Sequence, residues 1–190
     1  MALLRRTTLK MKLIILDRDG VINYDSKNYI KNLDEWQPIP GSIEAIAKLK
    51  KKNYTIAVVT NQSGVARKYY DINTLNLMHN KFRRLLANQG VKVDAIFFCP
   101  HGPDDNCNCR KPKTGLYQHV ASLFNTTLKD SITVGDSFRD LQAAMAMQSR
   151  PVLVKTGKGQ STLEKHQVEI LQNHIPVYEN LMDFVNSFLE

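Results

Sequence analysis

Short apolar runs rich in β-branched residues alternate along this chain with segments whose apolar residues recur at helical spacing, and that alternation restricts the fold more than any other feature. The runs are Leu13 to Leu16, Thr55 to Val59, Ala95 to Phe98, Ser131 to Val134 and Val152 to Val154, each short enough to be a strand buried on both faces. Between and after them, Ile43, Ile46, Ala47 and Leu49 form one helical stripe and Leu75, Met78, Phe82 and Leu85 a cleaner one. Leu116, Val120 and Leu123 predict a third helix, Leu141, Ala144 and Met145 a fourth, and Leu181, Phe184, Val185 and Phe188 a last one. Such stripes are expected in the core. This order of elements predicts an α/β fold: a parallel sheet covered by helices on both faces, with ligands bound beyond the carboxyl ends of its strands.

Length and charge narrow the setting. A chain of 190 residues fits one domain. Met11-Lys12-Leu13 reads as a natural start, so residues 1–10 are expected to be an extension and residues 11–190 the domain. No apolar stretch approaches the roughly 18 residues of a membrane helix. The run at Leu13 to Leu16 stops at Asp17, too short for a signal-peptide core, so a cytoplasmic protein is expected. The formal charge of +8 suits an anionic partner. No stripe of interleaved basic and aromatic residues points to nucleic acid, and no coiled-coil pattern points beyond a monomer. Lysines 48, 50, 51 and 52 read as an exposed helix end.

The residues just after each strand carry the chemistry. Asp17-Arg18-Asp19-Gly20 sets two acids two residues apart after the first strand, with a glycine for a sharp turn. Like charges so close repel, and a divalent cation relieves them. A third acid, Asp136, arrives in Gly135-Asp136-Ser137 after another strand. Taken singly, each acid reads as a turn or helix cap; together they predict an oxygen-rich Mg²⁺ site that a phosphate oxygen completes. Thr60 offers a hydroxyl beside the backbone amides of residues 61–64, and Arg110-Lys111-Pro112 brings two cations. Those groups suit a phosphoryl group held against a metal.

Three cysteines and a histidine fall within eleven residues: Cys99, His101, Cys107 and Cys109. Three thiolates and an imidazole are a tetrahedral Zn²⁺ set with no place left for substrate, so a structural zinc is expected. Arg110 and Lys111 follow the last ligand directly, so this zinc loop would fix where they point. His79, His119, His166 and His174 lack such company and are expected to be ordinary core or surface residues.

In their order along the chain, Asp17-Arg-Asp-Gly, Thr60-Asn, Lys111 and Gly135-Asp136-x-x-x-Asp140 resemble the four motifs of the haloacid dehalogenase superfamily of phosphotransferases. The resemblance implies a Rossmann-like three-layer sandwich without a large cap domain. It implies Asp17 as the nucleophile that forms an aspartyl-phosphate, and Asp19 as the acid and then the base. Mg²⁺ would lie on Asp17, the backbone carbonyl of Asp19, and Asp136. Thr60 and Lys111 would hold the phosphoryl group, and Asp140 would order the Asp136 loop. Substrate contacts are implied for Asp25, Ser26, Lys27, Asn28, Asn61, Gln62, Ser63 and Arg110. Within the superfamily, the zinc loop is similar to a branch acting on small phosphate esters. Thr60-Asn-Gln-Ser-Gly-Val-Ala-Arg67 is similar to the form in which the substrate is a heptose 1,7-bisphosphate that loses its 7-phosphate, with the 1-phosphate passing toward nucleotide-activated heptose for lipopolysaccharide core. Histidinol phosphate, a DNA 3′-phosphate end and a non-enzymatic phosphorylated receiver remain as alternatives.

Overall fold

The computed structural model describes residues 11–190; the expected extension at residues 1–10 lies outside the described residues. Six strands are present among the described residues: β1 (Leu13–Leu16), β2 (Thr55–Asn61), β3 (Ala95–Cys99), β4 (Ile132–Gly135), β5 (Arg150–Val154) and β6 (Val177–Tyr178). They form one parallel sheet in the order β3-β2-β1-β4-β5-β6. Seven helices connect and cover them: α1 (Ser42–Lys51), α2 (Ile72–Asn88), α3 (Gly115–Leu123), α4 (Phe138–Ala146), α5 (Gly159–Lys165), α6 (Gln167–Gln172) and α7 (Leu181–Leu189).

Every residue of β1 and β4 is buried, as central parallel strands require. Alternate side chains go to opposite layers. Ile14, Leu16, Ile56 and Val58 pack with Ile46 of α1, Leu75 and Phe82 of α2, and Phe184 of α7. Leu13, Ile15, Ala57 and Val59 pack with Leu116, Tyr117 and Val120 of α3 and Ala143 of α4. Leu153 of β5 meets Leu141 of α4 and Ile170 of α6. The result is the expected three-layer sandwich. One expected core position differs: Leu123 is 57% exposed, at the end of α3.

Local chemistry sets the helix ends. Asp71 caps α2 by accepting from the Thr74 amide at 2.8 Å. Lys48, Lys50 and Lys51 sit in the last turn of α1, where the helix dipole favours cations. Lys48 also donates to Asn186, and Lys50 pairs with Asp94 at 2.6 Å.

The connection from β1 to α1 spans residues 17–41 and holds no helix or strand of its own. It is nonetheless anchored. Trp36 is fully buried with its ring 6.0 Å from Phe82, and Lys81 of α2 donates to the Leu33 and Trp36 carbonyls at 2.7 Å. A loop fixed in this way lies along one wall of the site.

The strand order reverses at the centre. From β1 the chain moves outward through β2 and β3, then returns to β4 on the other side and moves outward again through β5 and β6. The crevice beyond the carboxyl ends of β1 and β4 is therefore the binding place this topology creates. Asp17 follows β1 there, and Asp136 follows β4.

Candidate active site

A cavity of about 290 Å³ opens at this crevice, lined by Asp17, Asp19, Thr60, Lys111 and Asp136 together with Asp25, Ser26, Lys27, Asn61, Gln62, Ser63 and Arg110. Of the expected site residues outside the zinc set, Asn28 alone does not line it. Asn28 is exposed, with its amide on the Ser26 hydroxyl, and Tyr29 turns inward instead from a left-handed backbone, φ 65°.

Carboxylate oxygens of Asp17, Asp136 and Asp140 lie within 4.8 Å of one another. Lys111 stands among them, 2.9 Å from Asp17 and 2.6 Å from Asp140, and also donates to the Val59 carbonyl at 2.7 Å. Burial alone would strip its proton, but Asp140 and Asp17 more than reverse this and hold it charged. Asp140 answers in kind. Burial pushes its carboxyl up, yet the Lys111 ammonium and the Ser137 bonds bring it below the usual range. It accepts from the Ser137 amide at 3.0 Å and from the Ser137 hydroxyl, so it orders the Asp136 loop as a capping partner of α4.

The other two acids are left short of positive charge. Burial and the Asp140 charge raise Asp17 to about 6. Burial, then Asp17 and Asp140, raise Asp136 well above the carboxylate range, against one bond from the Lys158 amide at 2.8 Å. An oxygen-only donor set with unbalanced negative charge fits a hard divalent cation. Two glycines make the closeness possible. A Cβ on Gly20 would stand 2.0 Å from an Asp136 oxygen and one on Gly157 2.2 Å, and both have positive φ.

Asp19 behaves differently from its neighbour. Burial pushes it up, but the Arg18 guanidinium, Asn23 and Gln62 outweigh that and hold the carboxyl low. Arg18 reaches it through Nε at 3.2 Å and Nη2 at 2.9 Å, Asn23 donates at 2.8 Å and Gln62 at 2.7 Å. Gln62 spends its whole amide in this network, also donating to Thr60 Oγ1 and accepting from Arg18 and Tyr70. Asn61 clasps the Lys111 backbone from both sides, at 3.0 and 3.1 Å. Gln62 and Asn61 thus line the cavity while their side chains brace other residues of the site.

Arg18, Tyr29, Tyr70, Arg139 and Lys158 also line the cavity and were not foreseen. Lys158 had a signal, since it comes after β5 at the same sheet edge. His79 is buried as a core residue, and its Nε2 meets Arg18 at 3.5 Å, so it supports the residue that holds Asp19. Burial, then the Arg18 charge, lower His79 from 6.5 to about 3. The folded protein therefore refuses a proton that the unfolded chain accepts. The stability that depends on neutral His79 is present above pH 6.5 and is lost as pH falls below it. We expect about 3 kcal/mol to be lost by roughly pH 4.5 from this residue. Urea unfolding of His79→Gln across that range should show a flatter slope; an unchanged slope would contradict it.

The zinc set also converges. Cys99 lies 3.7 Å from His101 Nδ1 and from Cys107 Sγ, and Cys109 lies 3.2 Å from Cys99 and 3.3 Å from His101. A tetrahedron with Zn–S bonds near 2.3 Å has edges of about 3.8 Å, so these donors need little movement to hold the ion. Selective zinc removal at saturating Mg²⁺ is expected to lower kcat/KM on the order of 10- to 100-fold, because displacement of adjacent Arg110 and Lys111 misaligns the site. Metal analysis of protein purified without chelator should find one zinc per chain; none would count against the loop.

A family model described as polynucleotide kinase 3 phosphatase matches residues 12–169. The D-glycero-beta-D-manno-heptose-1,7-bisphosphate 7-phosphatase of Pseudomonas putida is 59% identical over 155 residues, 82% of this chain and 89% of that protein. The chain belongs to this phosphatase family. A second heptose-bisphosphate phosphatase relative, from Neisseria meningitidis serogroup A, is 50% identical over 180 residues, covering 95% of this chain and 96% of its own. The crystal structure of the D,D-heptose 1,7-bisphosphate phosphatase from B. bronchiseptica, complexed with magnesium and phosphate, superposes with a TM-score of 0.89. It is 49% identical and covers 94% of this chain and 98% of that one. Membership in the heptose-bisphosphate phosphatase family agrees with the open parallel sheet and the cysteine-histidine loop described above.

Proposed function

We propose that the protein removes the 7-phosphate of D-glycero-β-D-manno-heptose 1,7-bisphosphate by two successive displacements, giving the heptose 1-phosphate used for nucleotide-activated heptose and lipopolysaccharide core. The observation that carries this reading is the meeting of Asp17 and Asp136 with Lys111 in one cavity. The β anomer is the form carried in the names of the relatives.

Asp17 attacks phosphorus in line. Lys111, beside it, meets the charge that develops on the phosphoryl oxygens, and Thr60 offers its hydroxyl to the same group. The resting grip on Asp19 keeps it a carboxylate, the form that activates water in the second step. An entering phosphate dianion repels that carboxylate and favours its protonated form, which donates to the leaving oxygen in the first. Asp140 holds the Asp136 loop, and Asn61 holds Lys111. Asp17, Asp136 and the backbone carbonyl of Asp19 would hold magnesium, which when bound neutralises the phosphoryl oxygens and the crowded acids. Cys99, His101, Cys107 and Cys109 would hold zinc as a structural ion.

Among the described residues no helix is long and apolar enough to cross a membrane. The reading retains a single-domain monomer acting in the cytoplasm. Phosphate release from the β- and α-heptose 1,7-bisphosphates, histidinol phosphate and a DNA 3′-phosphate end tests the substrate. The β-heptose bisphosphate should lead in kcat/KM by at least about tenfold. A lead by histidinol phosphate or the DNA end would overturn it.

A further inference from the structure

We propose that Arg139, together with Arg110 on the same cavity, forms the receptor for the phosphate of the substrate that is not transferred. The inference rests on the bisphosphate reading above. It names the residue that makes the site prefer two phosphates over one.

Among the described residues, six cations line the cavity: Arg18, Lys27, Arg110, Lys111, Arg139 and Lys158. Three are already spent. Arg18 is clamped on Asp19 and Gln62, Lys111 lies between Asp17 and Asp140, and Lys158 pairs with Asp25 at 2.6 Å. Among the described residues, Arg110, Arg139 and Lys27 form no ion pair, and Arg110 donates only to the His101 carbonyl at 3.3 Å. Lys27 sits exposed on the loop after β1, whereas the two arginines come from the zinc loop and from α4.

Arg139 is placed against local electrostatics. It is the second residue of α4, in the first turn, where the helix dipole favours anions and disfavours cations. It shares with Arg110 the lining of the catalytic cavity and of the neighbouring one. Arg110 and Arg139, neither of them paired with a carboxylate, are balanced when an anion arrives, and guanidinium forks suit phosphate oxygens.

Position supports the assignment. Arg139 lines the catalytic cavity, a second cavity of about 340 Å³ that it shares with Arg110, and a wider groove of about 840 Å³ beside α5. It stands where these spaces join. Because it sits on a helix tied by Ser137 and Asp140 to the Asp136 loop, its distance from the reacting phosphate is set by the scaffold.

The test compares heptose 1,7-bisphosphate with heptose 7-phosphate, which lacks the distal group, and reads the ratio of their kcat/KM values. Wild type should favour the bisphosphate strongly. Arg139→Ala should cut that ratio on the order of 10- to 100-fold, mainly through KM, as expected for losing charge-assisted hydrogen bonds. Arg139→Lys should keep part of the preference, and Arg139→Glu should lower it further; the exposed position lets all three fold, with melting curves as the check. An unchanged ratio in Arg139→Ala, or equal losses on both substrates, overturns the inference while leaving the phosphatase reading intact. Failure of wild type to hydrolyse the bisphosphate, or to prefer it, overturns the inference, and the first of these results overturns the functional reading as well.

Discussion

Asp17→Asn should leave a folded protein whose phosphate release at saturating Mg²⁺ is at least about a thousandfold slower than wild type. The amide keeps the shape of the carboxylate but cannot attack phosphorus. The fold should not suffer, because Asp17 is one of three crowded acids and its carboxyl is already pushed up to about 6 by burial and the Asp140 charge. Steady-state assays with melting curves check both halves. A variant with the wild-type kcat would remove the covalent step from the account, and an unfolded variant would mean that the acid is structural.

Lys111→Met should damage activity and stability together, which separates it from the nucleophile. Its ammonium is buried between Asp17 and Asp140, so removal leaves two carboxylates facing each other without a counter-charge. Breaking a buried pair from one side costs about 3–5 kcal/mol, and losing one donor to the transferring group costs about 10²–10³ in kcat. The double variant Lys111→Met/Asp140→Asn should regain much of the stability and none of the rate, since it removes the stranded charge without restoring the donor. Urea unfolding and phosphate release on the single and double variants measure this. Equal stability of wild type and Lys111→Met would show that the pair contributes nothing to the fold.

Much of this architecture was legible because the chain signals it locally. Buried runs such as Leu13 to Leu16 and a stripe such as Leu75, Met78 and Phe82 have one sensible period each, and the motifs stand directly after the strands. The elements that escaped notice lack a local signature. β6 is a two-residue edge strand that is only half buried, and α5 and α6 bury just Gly159, Thr162 and Ile170 between them, too few for a stripe. Leu123 keeps to the period of α3 but falls at its last residue, where it stays exposed.

The same distinction runs through the site. Acids, lysine and threonine at the sheet edge were readable from spacing, as was the zinc set. The supports were not, because they arise from contacts that no local pattern announces: His79 on α2 meets Arg18 after β1, Tyr70 meets Gln62 within one loop, and Gly157 makes room for Asp136. Asn61 and Gln62 show the limit of reading by motif. Both line the cavity, yet their amides hold Lys111 and Asp19 in place.

The stereochemical course at phosphorus tests the central claim most directly. With a substrate whose transferred group is made chiral by sulfur and oxygen isotopes, hydrolysed in isotopically labelled water, attack by Asp17 followed by attack of water gives net retention. Inversion would mean that water strikes the substrate directly and that no ester forms on Asp17.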